Sequence, residues 1–88
     1  MGKVSAVIKV MPDSAERDVN KLMDDLTAAL PKTAEFRGIQ AKPIAFGLKA
    51  ILLAVIVNDT EGGTEPVEAA LSKVPGVESV TVESVDLV

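Results

Sequence analysis

The sequence predicts an α+β sandwich, in which a four-stranded antiparallel sheet carries two helices on one face. Three observations support this prediction. Strand-like and helix-like apolar periods follow one another along the 88 residues in the order β-α-β-β-α-β. Hydrophobic residues make up 48% of the chain and aromatic residues only 2%, so the core must be aliphatic. A chain of this length rarely divides, and we therefore expect residues 1–88 to form a single domain.

The first strand and the first helix have the clearest patterns. Apolar and polar residues alternate over 3–11, which is typical of a half-buried strand, and Pro12 ends it. Asp13 and Glu16 then resemble a capping box, so we expect a helix over 14–30. Its apolar stripe at helical spacing consists of Val19, Leu22, Met23, Leu26 and Leu30.

The middle of the chain predicts two strands joined as a hairpin. We expect strands near 36–42 and 49–57 with a connection around 44–48, because Pro43 and Gly47 interrupt the apolar pattern. The second strand is apolar on both faces, which favours a central place in the sheet. Side chains expected on the uncovered sheet face are Ala50, Leu52, Ala54 and Ile56. Either that face contacts a partner, or its apolar residues only complete the strand and bind nothing.

The last third of the chain predicts a turn, a short helix and a final strand. Residues 58–63 form a polar turn, Thr64 caps the helix, and Pro66 is tolerated in its first turn. The helix stripe consists of Val67, Ala70, Leu71 and Val74. A final strand is expected over 77–85. Two right-handed crossovers then give a ferredoxin-like βαββαβ sandwich with strands one and three at its centre.

The composition excludes several classes of chemistry. Cys and His are absent from the sequence, which removes disulfides, thiolates, imidazole bases and the common zinc ligands. We therefore expect no catalytic residue, no cofactor and no metal site. The net charge of −4 and the lack of aromatic residues on the central strands disfavour direct nucleic-acid binding. The longest apolar run, over 50–57, is far shorter than the roughly 20 residues of a membrane span, so we expect a cytoplasmic protein.

Phe46 is one of only two aromatic residues, and it lies in the predicted hairpin connection beside Gly47. The residues alone leave two interpretations open. In the first, Phe46 folds back under the edge of the sheet and belongs to the core. In the second, it projects outward as an apolar anchor for a pocket on a partner, the kind of residue that carries binding energy.

Several separated segments resemble the guanine nucleotide exchange domain of elongation factor 1 beta, above all its short archaeal form. Residues 43–49, Pro-Ile-Ala-Phe-Gly-Leu-Lys, resemble the family's P-[VI]-x-[FY]-G-[IL]-K segment. Residues 10–12 with the helix that follows, and the turn at 58–64, also resemble the family pattern. The resemblance implies the ferredoxin-like fold and guanine nucleotide exchange on GDP-bound elongation factor 1 alpha, the GTPase that delivers aminoacyl-tRNA to the ribosome.

The resemblance also implies which residues contact the GTPase. By this analogy Phe46 fills a pocket, Gly47 permits close backbone approach, and Lys49 is a charged contact. The candidate partner-binding residues are Pro43, Phe46, Gly47, Leu48, Lys49 and Leu87. Eukaryotic members of the family have a lysine, implicated in displacing magnesium, where this chain has Leu87. Either displaced GTPase loops alone disturb the magnesium here, or another basic group substitutes.

Exchange of this kind depends on differential binding and needs no bond making. The factor favours a GTPase conformation that holds GDP and Mg²⁺ poorly, which raises their dissociation rates. We therefore expect a factor that is not an enzyme and that is a monomer when free. The alternative is a ferredoxin-like regulatory or ligand-binding module without exchange activity, for which fold analogy is the sole support.

Overall fold

Four antiparallel strands and two helices form the fold in the predicted order. The computed structural model describes residues 2–14, 16, 18–45, 47–58 and 63–87. The elements are β1 (Lys3–Pro12), α1 (Val19–Ala29), β2 (Ala34–Ala45), β3 (Leu48–Asn58), α2 (Glu65–Ser72) and β4 (Val77–Leu87). The strand order in the sheet is β2-β3-β1-β4, and every neighbouring pair is antiparallel. The ferredoxin-like sandwich is thus confirmed, with β1 and β3 as its inner strands.

The core lies between the two inner strands and the two helices. On β1 and β3, buried residues face one another across the sheet in the pairs Val4–Val57, Ala6–Val55, Ile8–Leu53 and Val10–Ile51. The helices contribute Leu22, Leu26, Val67 and Leu71 to the same cluster. A fully buried side chain of this size stabilises the fold by roughly 1.5–3 kcal/mol before conformational entropy is subtracted.

The first helix begins later than the sequence predicts. It starts at Val19 and ends at Ala29, whereas the expected range was 14–30. Asp18 is its N-cap, because the Asp18 carboxylate accepts a hydrogen bond from the Lys21 backbone N–H at 3.2 Å. An N-cap acceptor of this kind satisfies one of the free N–H groups of the first turn.

The capping box predicted for Asp13 and Glu16 is therefore wrong, since both residues precede the helix. The Asp13 backbone N–H instead donates to the Gly76 carbonyl oxygen at 2.8 Å, which ties this segment to the loop before β4. The Glu16 backbone N–H donates to the Ser14 hydroxyl oxygen at 3.1 Å.

The β2–β3 hairpin is tighter than the sequence predicts. Ala45 pairs with Leu48, so the connection consists of residues 46–47 and not of 44–48. Pro43 stays within β2, opposite Lys49. The strand can include it because β2 lies at the edge of the sheet, where a missing backbone N–H is tolerated. β4 likewise continues to Leu87, two residues beyond its expected end.

The second helix forms where it was expected, but its cap differs. Thr64 occupies the N-cap position with an α-region backbone conformation and makes no side-chain capping bond, and its hydroxyl donates to the Glu68 carboxylate at 3.1 Å. Pro66 lies in the first turn, as predicted. Most of the predicted polar turn, residues 59–62, lies outside the described residues. Among the described residues, no helix has both the length and the hydropathy needed to cross a membrane.

The sheet face opposite the helices is uncovered. Leu52, Ala54 and Ile56 lie on it and are partly exposed, as predicted. Ala50 was expected there too, but it is buried, with 3% of its surface exposed. A methyl group is small enough to be covered by longer neighbours, and Lys42 lies directly opposite in β2. Over Gly38 the face has a depression of about 340 Å³, and no heavy atom lies within 4 Å of a Cβ placed there.

Candidate functional site

The β2–β3 hairpin brings four of the predicted partner-binding residues to one end of the sheet. Pro43 lies opposite Lys49, Leu48 closes the hairpin, and Gly47 lies in the connection. Pro43, Gly47 and Lys49 are exposed, whereas Leu48 is half-buried. Phe46, the predicted anchor, lies outside the described residues, so the choice between its two interpretations stays with experiment.

Gly47 has a backbone conformation that favours glycine. Its φ angle is +81°, in the left-handed region that other residues reach only with strain. Because the connection between Ala45 and Leu48 contains only two residues, the chain must reverse within this short distance. The turn itself therefore favours glycine, whether or not a partner approaches the backbone there.

Ile44 adds an exposed apolar group to the hairpin and was not among the predicted partner-binding residues. Half of its surface is exposed (50%), although it is a large aliphatic residue next to Pro43. In the sequence Ile44 looked like an ordinary residue of the hairpin connection. Ile44 lies on an edge strand, where the pairing register with β3 shifts between Pro43 and Ala45.

Leu87 lies far from the other four candidates that the structure describes. It pairs with Val4 of β1, which pairs in turn with Val57 of β3. Along β3, Val57 and Lys49 are separated by eight residues, or roughly 26 Å at the rise of a β-strand. The structure therefore does not join Leu87, 85% exposed, to the hairpin in one compact site.

A depression of about 200 Å³ lies beside the hairpin and is shared with the start of α1. Gly47 and Lys49 line it on the hairpin side, and Ser14 and Asn20 line it from the segment around the helix start. Pro12, Val19 and Ala41 are the other described residues that line it. Ser14 and Asn20 were not predicted from the sequence, because they are some 30 residues away in the chain and carry no motif of their own.

Lys49 places a cationic group on this surface. Within the described part of the chain, no carboxylate lies within 4.0 Å of its ammonium group. The ion pair that is present, between Arg37 and Glu35 at 3.0 Å, is exposed and lies elsewhere on β2. The same described residues contain no group of three acidic side chains placed to hold a metal ion. The arrangement is suited to contact with a macromolecule through exposed apolar and donor groups.

Comparison with known proteins gives a consistent family match. Residues 5–88 match the family model described as the EF-1 guanine nucleotide exchange domain. "Elongation factor 1-beta" of Methanocella arvoryzae is 64% identical over 84 residues, covering 96% of this chain and 94% of that protein. The protein of the same name from Halorubrum lacusprofundi is 54% identical over 85 residues, covering 97% of each chain. That of Methanococcoides burtonii is 52% identical over 82 residues, covering 93% of this chain and 92% of its own.

Solved structures with a similar fold are much more distant in sequence. The ACT domain from GTP pyrophosphokinase of Chlorobium tepidum has a TM-score of 0.61 at 20% identity, covering 93% of this chain and 99% of that domain. The C-terminal domain of the MgtC protein from Mycobacterium tuberculosis has a TM-score of 0.56 at 22% identity, with coverages of 99% and 88%. At these identities the likeness shows the shared fold alone.

Proposed function

Since the chain belongs to the EF-1 guanine nucleotide exchange domain family, and is thus a nucleotide exchange factor of translation, we propose that it acts on elongation factor 1 alpha. It promotes release of GDP from that GTPase and so allows GTP to load. The family match over residues 5–88 carries this proposal. The same match supports the view that residues 1–88 act as one exchange domain. The free factor is proposed to be a monomer in the cytoplasm, where translation factors work.

The proposed contact is the exposed hairpin. Phe46 enters a pocket on the GTPase, Pro43 and Leu48 support the strands on either side, and Lys49 is a charged contact. Three properties of the described residues support this: the exposed cation of Lys49, the exposed turn at Gly47 and the exposed apolar surface of Ile44. Apolar and aromatic anchors occupy the centre of protein–protein interfaces, and charged groups such as the Lys49 ammonium belong to the polar rim around them.

The exchange mechanism is a difference in binding between two states of the GTPase. The factor binds the conformation with a weakened nucleotide site more tightly than the GDP-bound conformation, and so raises the GDP dissociation rate. Thermodynamic linkage makes this effect reciprocal. If the factor weakens GDP binding by a given ratio, GDP weakens binding of the factor by the same ratio, so the factor binds the nucleotide-free GTPase more tightly than the GDP-bound GTPase. No proton transfer or covalent step is required of the factor.

Leu87 is proposed as a second contact, at the far end of the sheet. Its apolar side chain brings no charge to the GTPase, so exchange here relies on displaced GTPase loops or on a basic group elsewhere. Because the hairpin is roughly 26 Å away along β3, one GTPase can touch both places only with surfaces equally far apart.

The direct test uses an archaeal elongation factor 1 alpha loaded with fluorescent GDP. Catalytic amounts of the wild-type factor should accelerate the loss of fluorescence in the presence of excess GTP. Phe46→Ala should lose most of this acceleration with an unchanged circular dichroism spectrum and melting temperature. Phe36→Ala is the matched control, since Phe36 is 42% exposed on β2 and lies outside the hairpin connection; it should retain exchange.

Two outcomes would change the proposal. If GDP leaves the GTPase no faster with the wild-type factor than without it, exchange on this partner is rejected. The alternative, a regulatory or ligand-binding module of the same fold, would then be the better hypothesis. If Phe46→Ala unfolds, Phe46 is a core residue, and the anchor must be another exposed residue of the hairpin.

A further inference from the structure

We infer that the partner-binding surface extends from the hairpin to the start of α1, where Ser14, Asn20 and Lys49 form a donor-lined depression that binds a carboxylate of the GTPase partner. The inference rests on the proposed function, because it assigns a chemistry to a part of the same interface. The depression, about 200 Å³ in volume, is the one shared by the hairpin and the helix start. We refer to it as the donor depression.

The three polar groups of the donor depression all have hydrogen-bond donors to spare. The Ser14 hydroxyl oxygen accepts the Glu16 backbone N–H at 3.1 Å, which leaves its O–H free to donate outward. Within the described part of the chain, the Asn20 carboxamide makes no hydrogen bond and the Lys49 ammonium has no carboxylate partner. A hydroxyl, an amide and an ammonium around one small space call for an acceptor.

The charge of Lys49 favours a carboxylate over a neutral acceptor. A charge-assisted hydrogen bond between an ammonium and a carboxylate is roughly twice as strong as a bond between neutral groups. Neither Ser14 nor Asn20 carries a charge that would compete for the ammonium. An aspartate or glutamate side chain on a protruding GTPase segment therefore matches the depression in both charge and hydrogen bonding.

The acidic side chains of the same region line a different depression. Glu16, Asp18 and Asp25 lie along a larger neighbouring hollow of about 440 Å³. Ser14 and a single described cation, Lys21, also border this hollow, so its described lining carries a net negative charge. One of these carboxylates, that of Asp18, is engaged in accepting the Lys21 backbone N–H. Ser14 therefore stands between an acid-lined hollow and the donor depression, and a partner carboxylate is favoured on the Lys49 side.

Both walls of the donor depression are held by the fold before any partner binds. On one side, the Asp13 N–H bond to the Gly76 carbonyl fixes the segment that carries Ser14, and the helix holds Asn20. On the other side, Lys49 is part of the β3 ladder, opposite Pro43. Groups that are already in position lose less conformational entropy on binding, which favours affinity.

The test measures affinity for the nucleotide-free GTPase by titration calorimetry at several salt concentrations. Lys49→Gln should weaken binding about tenfold and make the affinity less dependent on salt. Asn20→Ala and Ser14→Ala should each weaken it by about two- to tenfold. The double variant Asn20→Ala with Lys49→Gln should lose less than the product of the single losses, because both groups act on one carboxylate.

Matched controls come from elsewhere on the molecule. Lys32→Gln removes an exposed lysine from the turn after α1, and Ser84→Ala removes an exposed hydroxyl from β4. Both should bind like the wild type, and all five single variants should keep the wild-type melting temperature. If Asn20→Ala and Ser14→Ala bind like the wild type, the donor depression is not part of the interface. If the wild type itself does not bind the GTPase, the proposed function fails, and this inference with it.

Discussion

The backbone at Gly47 allows a sharp experiment on the hairpin. Replacing Gly47 by alanine places a Cβ on a residue whose φ angle is +81°. An L-residue in the left-handed region is less stable by roughly 1–2 kcal/mol, because its Cβ approaches the following carbonyl oxygen. We therefore expect Gly47→Ala to lower the free energy of unfolding by about 1–2 kcal/mol. For a domain of this size, each kcal/mol corresponds to a melting-temperature decrease of about 4–8 °C.

A D-alanine at the same position separates the two roles that Gly47 can have. D-Alanine favours a positive φ, so a protein made by chemical synthesis with this residue should be at least as stable as the wild type. It still carries the added methyl group. If Gly47 permits close approach of the GTPase backbone, exchange should fall about tenfold or more despite the intact fold. If glycine serves only the turn, exchange should stay at the wild-type rate.

The control for the alanine substitution is another glycine. Gly38 lies in β2 without a positive φ, and a Cβ there meets no heavy atom within 4 Å. Gly38→Ala makes the same chemical change and should leave the free energy of unfolding unchanged or raise it by up to about 1 kcal/mol, since alanine reduces the conformational entropy of the unfolded chain. Urea unfolding followed by circular dichroism gives the free energy of unfolding of the wild type and of both alanine variants. A Gly47→Ala protein as stable as the wild type would refute the left-handed turn and the reasoning built on it.

Two further substitutions test other features. Asp18→Ala should lower the free energy of unfolding by about 0.5–2 kcal/mol, because the helix loses its N-cap. Glu16→Ala should leave the urea midpoint unchanged. The reverse result would favour a helix that begins near residue 14, as the sequence predicted. Gly38→Val places a side chain in the depression on the uncovered sheet face. We expect exchange kinetics like those of the wild type, because the apolar residues of this face are interpreted as strand residues without a partner. A large loss of exchange would instead make that face a GTPase contact.

The sequence predicts the topology because period and order leave few choices. The alternation over β1 and the helical stripe of α1 differ in period, and only a small number of sheet arrangements join six such elements without left-handed crossovers. The late start of α1 was missed for a local reason. Both Asp13 and Asp18 are residue types that can cap a helix. The structure selects Asp18, whose carboxylate accepts the Lys21 N–H, while the Asp13 N–H bonds to the distant Gly76 carbonyl. Such a long-range bond cannot be predicted from the local sequence.

The candidate site likewise has one part that the sequence predicts and one part that it does not. The hairpin is visible in the sequence because its motif is continuous from Pro43 to Lys49. Ser14 and Asn20 could not be found, since they reach the hairpin only through the pairing of β1 with β3 and the position of α1. The burial of Ala50 was also unpredictable, because alternation assigns a face but not the size of the neighbours that cover a small side chain.

The register of the sheet places both ends of the described chain away from the hairpin. Lys3 lies opposite Asn58, and Leu87 lies opposite Val4, at the end of the sheet where β3 finishes. A fluorophore, a biosensor tether or a fused protein attached beyond Lys3 would thus project away from Gly47 and Lys49. Attachment beyond Leu87 would spare the hairpin equally well but occupy the second proposed contact. Comparing the two immobilised orientations would therefore report on each end of the molecule separately.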